Sequence, residues 1–493
     1  MSSPETGDAQ ASTGGFVKAL TLTDATMLVA GSMIGSGIFI VSADISRTVG
    51  SPLWLMLAWL AAGVITILGA LAYGELAAMF PRAGGQYIFL RESMGPLMGF
   101  LYGWTLFIVI QTGTIAAVAV AFGKFLGVLW PAITPDRYSW FPQIDFTTPG
   151  GLIEVGLTPQ RLIALITIWI LTWINLRGVK EAKYVQTSLT IIKTGALALL
   201  IILGLTIGRN AEAVAANFSN GNFTGHVDVT SVFLIGFGAS LVGSLFSSDA
   251  WNNVTFAAAE VKNPQRNLPL ALLMGTGLVS GLYILANIAY LNILPVHGTA
   301  DAATLIGRGI QFATQDRVGS AAAEMIFGAI GGTIMASAIL ISTFGCNNGL
   351  ILSGARVYYA MAKDKLFFRK AGQLSKNHVP STALIVQGIW ASLLCLTGTY
   401  GQLLDYVIFA ALIFYALTTI GLFILRSKRP DAERPYRAFG YPVLPALYIV
   451  LASTIAVVLL IADKTRAQAV SGLVLVAVGI PVFFIWRAVE KPD

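Results

Sequence analysis

Charge is scarce in this sequence. Asp, Glu, Lys and Arg together make up 11% of its 493 residues, whereas soluble domains carry about 25%. Hydrophobic residues make up 56%, which excludes a soluble globular domain and a disordered or coiled-coil chain. Only two cysteines occur, both inside apolar runs, which excludes a disulfide scaffold and a cysteine-based zinc site. The three histidines are scattered, and no metal cluster, catalytic pair or cofactor motif is predicted, so we expect that the protein is not an enzyme. The composition therefore indicates an integral membrane protein.

Long runs of uncharged, mainly apolar residues make up most of the sequence. A membrane-spanning helix needs about 20 mainly apolar residues, and most of the chain divides into segments of that kind. Three of these segments tolerate one internal or edge charge. We predict an all-α integral membrane protein with twelve transmembrane helices, at residues 25–43, 48–74, 93–123, 155–176, 184–207, 230–258, 267–300, 325–355, 377–404, 406–425, 438–462 and 467–486.

Lysine and arginine are distributed unevenly among the predicted loops. If the N-terminus is cytoplasmic, the inner loops hold more than twice as many of these residues as the outer loops. Such a bias is typical of membrane proteins and sets their orientation. We therefore predict that both termini are cytoplasmic, with residues 1–17 as a disordered tail. The bias also explains the net charge of +7 without an acidic or nucleic-acid partner.

A cluster of small residues interrupts the first apolar run, where residues 31–37 read Gly-Ser-Met-Ile-Gly-Ser-Gly. Each glycine weakens a helix by up to about 1 kcal/mol relative to alanine. Close packing of helices is one explanation. A discontinuous helix is the explanation we favour, because its free N–H groups suit a carboxylate and its free carbonyl groups suit an ammonium group. The cluster thus predicts a site for a zwitterion near the middle of the membrane.

A matching cluster lies in the sixth predicted span, where Gly236, Gly238 and Gly243 precede a polar stretch at residues 244–252. Polar groups are costly at this depth unless they are satisfied. The first and sixth spans are corresponding members of two five-helix halves. We therefore predict a five-plus-five inverted repeat with broken helices 1 and 6. The first repeat covers residues 18–207, the second covers 208–426, and two extra C-terminal helices with a cytoplasmic tail cover 427–493.

Five stretches carry a resemblance to a known family. Over about residues 18–488 the chain resembles the amino acid–polyamine–organocation superfamily, and within it the L-type amino acid transporter branch, as a prokaryotic-type member. The resemblance implies the same fold of five plus five helices, and a transporter working by alternating access. The stretches are GSMIGSGIF (31–39), ALAYGELAAMFPRAGGQYIFL (70–90), FSSDAWNNVTFAAAEVKNPQRNLP (246–269), STFGCNNGLILSGARVYYAMAKD (342–364) and RPYRAFGYPVLPALY (434–448).

The resemblance implies a substrate site made by the two breaks. It places the substrate carboxylate at the first break and the amino group against main-chain carbonyl groups of both. Phe246 is similar to the family's aromatic gate, with lipid-facing or core packing as the alternative. Tyr283 takes a family position near the pocket, although tyrosine is also common near membrane interfaces. The candidate substrate-binding residues are Met33, Ile34, Gly35, Ser36, Gly37, Phe246, Ser247, Asp249 and Tyr283.

Lys193 lies well inside the fifth predicted span, with nine uncharged residues before it. An ionisable residue at such a position indicates a functional site. One role is to load and lose a proton. In the other role, which the resemblance favours, the lysine stays charged and stands where sodium-coupled relatives bind an ion. It would then tie the broken first helix to the eighth span, near Ser342 and Thr343.

The presence of Asp249 inside the sixth predicted span also has two explanations. Aspartate is a good N-cap, so we favour capping of the second half of the sixth helix. The other explanation is recognition of a cationic substrate, because relatives with an acid here can carry dibasic amino acids.

The favoured function is sodium-independent exchange of small or neutral L-amino acids. A proton-coupled symporter, a cationic amino acid or polyamine exchanger, and a non-transporting amino acid sensor are the alternatives. The family's heteromeric animal members use a cysteine of an outer loop to bond a glycoprotein, and no cysteine occurs between residues 125 and 158. We therefore expect no disulfide-linked heavy chain. The expected partners are an amino acid and the lipid bilayer of the cytoplasmic (inner) membrane.

Overall fold

The computed structural model describes residues 15–133, 144–148, 151–219, 221–225, 227–397 and 400–489. Most of the predicted N-terminal tail, residues 1–14, lies outside the described residues, and so does His226.

Helices account for most of the described residues. Many begin at a residue that caps them, such as Thr21, whose side chain accepts a hydrogen bond from Asp24 N while the Asp24 carboxylate accepts one from Thr21 N. In chain order the helices are α1 (Leu22–Met33), α2 (Val41–Val49), α3 (Pro52–Met79), α4 (Gln86–Met94), α5 (Pro96–Thr105), α6 (Gln111–Leu129), α7 (Pro159–Arg177), α8 (Val179–Leu205), α9 (Ala211–Phe218), α10 (Ser231–Ser247), α11 (Asn253–Phe256), α12 (Pro264–Ile293), α13 (Leu305–Arg308), α14 (Val318–Phe327), α15 (Ala329–Lys363), α16 (Ser381–Cys395), α17 (Tyr400–Lys428), α18 (Val443–Ile461) and α19 (Arg466–Val489).

Nine helices in the described part of the chain are long and apolar enough to cross a membrane. Their outward faces carry exposed apolar side chains, as Val450 on α18 and Phe484 on α19 show. Such a surface suits a hydrocarbon surrounding. The prediction of an all-helical, multi-pass membrane protein is confirmed at this level. The nine are α3, α5 together with α6, α7, α8, α12, α15, α17, α18 and α19.

The three other predicted spans contain shorter helices. The first consists of α1 and α2, which are separated by residues 34–40, and the sixth consists of α10 and α11, which are separated by residues 248–252. The ninth contains α16, which has 15 residues. The first interruption overlaps the cluster of small residues at 31–37, and the second falls inside the polar stretch at 244–252.

Two features were not predicted from the sequence. An antiparallel hairpin of β1 (Ile144–Thr148) and β2 (Gly151–Val155) lies between α6 and α7. A π-helical segment at Leu106–Ile110 separates α5 from α6. Five-residue strands are too short for a hydropathy window to register, and a π turn changes the hydrogen-bond spacing without changing composition. Apart from this hairpin, the described chain consists of helices and the segments that connect them.

The packing of the long helices encloses the first interruption. Helix α15 packs against α1, α6 and α8, while α12 packs against α1 and α3. The end of α1 is thus surrounded by α8, α12 and α15, and side chains from these three helices can reach its main chain.

A buried ion pair connects α15 to the segment that follows α11. Arg356 donates from Nε and Nη2 to the two carboxylate oxygens of Glu260, at 3.1 and 3.0 Å. Both side chains are 1% exposed. Two parallel hydrogen bonds from a guanidinium group fix orientation as well as distance. The pair therefore holds the second half of the sixth span against α15.

Replacing Glu260 by Gln should strongly destabilise the protein, because Arg356 then keeps its charge without a carboxylate. Breaking a buried pair in this way costs about 3–5 kcal/mol. The measurement is thermal unfolding of the purified protein in detergent. Lys464→Gln is the matched control: it breaks the Lys464–Asp44 pair, whose side chains are 52% and 47% exposed, and should change the midpoint little. Equal midpoints for both variants would contradict the prediction.

Candidate functional site

The first break begins where α1 ends at Met33. Ile34 has extended backbone angles, with φ −75° and ψ 92°, and a 3-10 turn at Gly37–Phe39 precedes α2. The carbonyl groups of residues 31–35 therefore lack the partners that a continuous helix would supply. Inside a membrane such groups require other donors.

Lys193 on α8 donates to two of these carbonyl groups. Its Nζ lies 2.6 Å from the oxygens of both Gly31 and Ile34. It also lies 3.2 Å from the carbonyl oxygen of Ser342 on α15. An ammonium group has three hydrogens, and these three contacts use all of them. The lysine is 1% exposed, and its hydrogen bonds within the described part of the chain are to main-chain oxygens.

Ser342 also contacts the break, and Thr343 does not. The Ser342 hydroxyl lies 3.1 Å from the carbonyl oxygen of Ile34 and 3.0 Å from that of Gly35. The Thr343 hydroxyl instead donates to Ile339 within its own helix, at 2.9 Å. The structure thus brings Lys193 and Ser342 together at the break, while Thr343 serves its own helix.

Tyr283 on α12 joins the two breaks. Its hydroxyl lies 3.1 Å from the carbonyl oxygen of Met33 and 3.0 Å from that of Ser247, the last residue of α10. The remaining carbonyl group of the first break, that of Ser32, accepts from Sγ of Cys346 at 2.9 Å. Every main-chain oxygen from residue 31 to residue 35 therefore has a side-chain donor within hydrogen-bonding distance.

The second break lies between Ser247 and Asn253. Ala250 has a φ of 62°, a conformation that is uncommon for residues other than glycine, and the chain changes direction there. Phe246 is 7% exposed and Ser247 is 3% exposed. The lipid-facing alternative for Phe246 is therefore wrong, since its side chain is enclosed by protein.

The two breaks touch at Gly37. A Cβ atom at this position would lie 2.1 Å from Oγ and 3.1 Å from Cα of Ser247. Real Cβ atoms do not approach other atoms so closely, so only a residue without a side chain fits. This contact gives the glycine of the first cluster a physical role beyond helix breaking.

Asp249 follows the end of α10 and is 6% exposed. The Tyr415 hydroxyl on α17 donates to its carboxylate at 2.5 Å. The favoured capping role is wrong, because Asn252 occupies the N-cap position of α11. The turn at Ala250 delays the restart of the helix, and the carboxylate is left beside the break instead of at the helix end.

Two small cavities lie on either side of Asp249. Both have Asp249, Ala411 and Tyr415 in their walls. The first has a volume of about 10 Å³ and the second about 20 Å³, which is room for about one water molecule each. A substrate side chain therefore needs these walls to separate. Besides Asp249 and Tyr415, the polar residues of the first wall are Tyr102, Gln111, Thr114, Asn252 and Asn253.

A chain of amide hydrogen bonds beside the second break was missed in the sequence. Asn252 donates from Nδ2 to Oε1 of Gln86 at 2.8 Å, and Gln86 donates to the Thr418 hydroxyl at 3.0 Å. The chain connects the break to α4 and α17. A signal did exist for Asn252 and Thr418, because polar side chains inside apolar spans face the protein interior and must find partners.

Two apolar helices of this chain are interrupted, and the interruptions meet at one buried centre. This arrangement is typical of one class of protein, the secondary membrane transporters. The chain belongs to the amino acid permease family, which it matches over residues 20–485, and so to the amino acid–polyamine–organocation superfamily. The predicted family membership is confirmed. Members of this family are transporters, so the prediction that the protein is not an enzyme is confirmed as well.

Three relatives illustrate the similarity. The serine/threonine exchanger SteT of Bacillus subtilis is 32% identical, over 95% of this chain and 97% of that relative. The human large neutral amino acids transporter small subunit 2 is 30% identical, over 98% of this chain and 83% of that relative. The human b(0,+)-type amino acid transporter 1 is 26% identical, over 95% of this chain and 88% of that relative. The similarity thus extends across nearly the whole chain.

Replacing Gly37 by Ala should force the two breaks apart and reduce both stability and amino acid uptake. Overpacking of this kind costs about 1–3 kcal/mol. Thermal unfolding in detergent and uptake by proteoliposomes measure the two effects. Gly277→Ala is the control, because a Cβ there meets nothing within 4 Å and alanine favours a helix. If Gly37→Ala behaved like Gly277→Ala in both assays, the close contact would have no functional importance.

Proposed function

We propose that the protein is a sodium-independent exchanger of small or neutral L-amino acids that works by alternating access. The observation that carries this proposal is the threefold contact of Lys193 with the carbonyl oxygens of Gly31, Ile34 and Ser342. Oxygen atoms arranged around a cation between a broken helix and α15 are what a bound sodium ion would need. The ammonium group meets that need permanently, so no sodium is required.

The same contacts argue for a fixed charge over a proton carrier. Deprotonation would leave at least one carbonyl oxygen without its donor in a site that water does not reach, and an unsatisfied buried polar group costs about 1–3 kcal/mol. If Lys193 carried the transported proton, each transport cycle would include this unfavourable deprotonated state. We therefore favour exchange over the proton-coupled alternative.

The proposed substrate site lies between the breaks. The substrate carboxylate would bind at Ser36 and Gly37, near the start of the second half of the first helix, where N–H groups and the helix dipole favour an anion. The substrate amino group would approach the main-chain oxygens of Met33, Phe246 and Asp249, with Ile34, Gly35, Ser247 and Tyr283 completing the wall. The oxygen of Met33 accepts from Tyr283, and a carbonyl oxygen has a second lone pair for the substrate.

In the proposed architecture the chain crosses the membrane twelve times. Residues 18–207 and 208–426 form two inverted repeats of five helices, and residues 427–493 add two helices. The positions of the interruptions support this arrangement, since they occur in the first and the sixth span. Loop charges support cytoplasmic termini, in the cytoplasmic membrane of a prokaryotic-type cell.

We also propose that the protein works without a disulfide-linked heavy chain. Its two cysteines, Cys346 and Cys395, are buried in α15 and α16. An intermolecular disulfide needs an accessible thiol in an outer segment, and neither residue provides one.

The choice of small neutral substrates is supported by two observations. The cavities beside Asp249 are small, and a relative with 32% identity is named a serine/threonine exchanger. A cationic substrate is the second candidate, because Asp249 places a carboxylate beside the site.

Purified protein in proteoliposomes tests the mode of transport. In sodium-free buffer, uptake of radiolabelled L-threonine should require an internal amino acid, and it should not respond to a sodium or proton gradient. Uptake into empty vesicles driven by a proton gradient would establish proton coupling instead. Binding without any flux would establish a sensor.

Replacing Lys193 by Ala should reduce exchange by at least about 100-fold, because three carbonyl groups lose their common donor and each lost bond to a charged group is worth about 1.5–3 kcal/mol. The same exchange assay measures the effect. Lys180→Ala removes an exposed lysine at the start of the same helix and should retain the exchange rate. A Lys193→Ala variant that folds and exchanges normally would refute the role assigned to the ammonium group.

A further inference from the structure

The carboxylate of Asp249 already has a neutral donor. The Tyr415 hydroxyl lies 2.5 Å from Oδ1 of Asp249 and 3.4 Å from Oδ1 of Asn252. A hydroxyl has one hydrogen to donate, and the shorter contact to a carboxylate takes it. Asp249 also accepts from the main-chain N–H of Ala250. A buried carboxylate requires such donors, and here they come from uncharged groups of the protein.

Two other amide groups of this wall direct their N–H donors away from the cavity, whereas Nδ2 of Asn253, which also lines it, has no hydrogen-bond partner in the described part of the chain. Asn252 donates from Nδ2 to Gln86 at 2.8 Å, and Gln111 donates from Nε2 to the carbonyl oxygen of Leu350 at 2.7 Å. Both residues line the same cavity as Asp249. Their amide oxygens are therefore left for a ligand. The carboxylate and these amide oxygens favour a substrate side chain that donates hydrogen bonds, which is either a hydroxyl group or an ammonium group. Of these two, only the hydroxyl can also accept from Nδ2 of Asn253.

We propose that Tyr415 decides between these two classes and makes the site selective for neutral, hydroxyl-bearing side chains. This inference rests on the proposed function, amino acid exchange at the two breaks. With Tyr415 in place, the Asp249 carboxylate is satisfied, and a substrate hydroxyl donates to the amide oxygens of the wall. Without the tyrosine hydroxyl, the carboxylate keeps the N–H of Ala250 but loses its side-chain donor, and a substrate ammonium group is the strongest replacement because its hydrogen bond is charge-assisted.

Two amino acids with side chains of equal length distinguish hydroxyl-bearing from ammonium-bearing substrates. L-homoserine and L-2,4-diaminobutyrate have side chains of the same length that end in a hydroxyl and an ammonium group, respectively. In proteoliposomes, the protein with its natural sequence should exchange L-homoserine in preference to L-2,4-diaminobutyrate. In Tyr415→Phe the ratio of the two kcat/KM values should move toward L-2,4-diaminobutyrate by about tenfold or more, the size expected for one charge-assisted hydrogen bond.

Two variants control for a merely structural effect. Tyr358→Phe makes the same chemical change at a fully buried tyrosine whose hydroxyl has no hydrogen-bond partner in the described part of the chain, and its ratio should stay unchanged. In the double variant Tyr415→Phe with Asp249→Asn, the shift toward L-2,4-diaminobutyrate should disappear, because the carboxylate that attracts the ammonium group is gone. A packing defect would lower both substrates together and leave their ratio constant.

Asp249→Asn alone provides a test that does not depend on Tyr415→Phe being stable. Because this variant retains the tyrosine, its ratio of the kcat/KM values for the two substrates should stay within about threefold of the ratio for the natural sequence. A tenfold loss of L-2,4-diaminobutyrate exchange would show that a cationic substrate already binds Asp249, and would overturn the inference. So would a preference of the natural sequence for L-2,4-diaminobutyrate, or an unchanged ratio in a folded Tyr415→Phe. If the natural sequence exchanges no amino acid at all, the proposed function itself fails.

Discussion

The satisfaction of main-chain carbonyl groups at the end of α1 is the constraint on which the rest of this structure depends. A helix that stops inside a membrane leaves oxygen atoms that water cannot reach. Here the donors come from the side chains of Lys193, Tyr283, Ser342 and Cys346, which belong to three different helices. The positions of α8, α12 and α15 around the break follow from this requirement, because each must hold its donor within about 3 Å of a particular oxygen.

The same requirement limits how the molecule can move. Alternating access needs helices to shift relative to one another, yet a donor that withdraws from the break leaves a buried carbonyl group without a partner. Lys193 and Ser342 both contact the carbonyl oxygen of Ile34, and they also contact those of Gly31 and Gly35, respectively. We infer that this segment moves together with α8 and α15 as a unit, while larger displacements occur where contacts are made by apolar side chains alone.

Much of the arrangement could be predicted from the sequence, because some residues are costly unless they have a function. Lys193 in mid-membrane and the glycines at 31–37 are of this kind, and the structure brings Lys193 and Ser342 to the break. Tyr415 and Cys346 could not be found in this way, since tyrosine and cysteine are ordinary in apolar spans. Their importance appears only when distant helices meet. The capping role of Asp249 failed for a related reason: the local rule is sound, but the turn at Ala250 moves the start of the helix.

Tyr283 presents one hydrogen to two carbonyl oxygens, at 3.1 and 3.0 Å. A hydroxyl has one hydrogen to donate, and both oxygens lie within its reach at similar distances. A small separation on one side is offset by a stronger bond on the other. The joint between the two breaks is therefore compliant: it holds the broken ends together over a range of distances, in contrast to the rigid contact that Gly37 makes with Ser247.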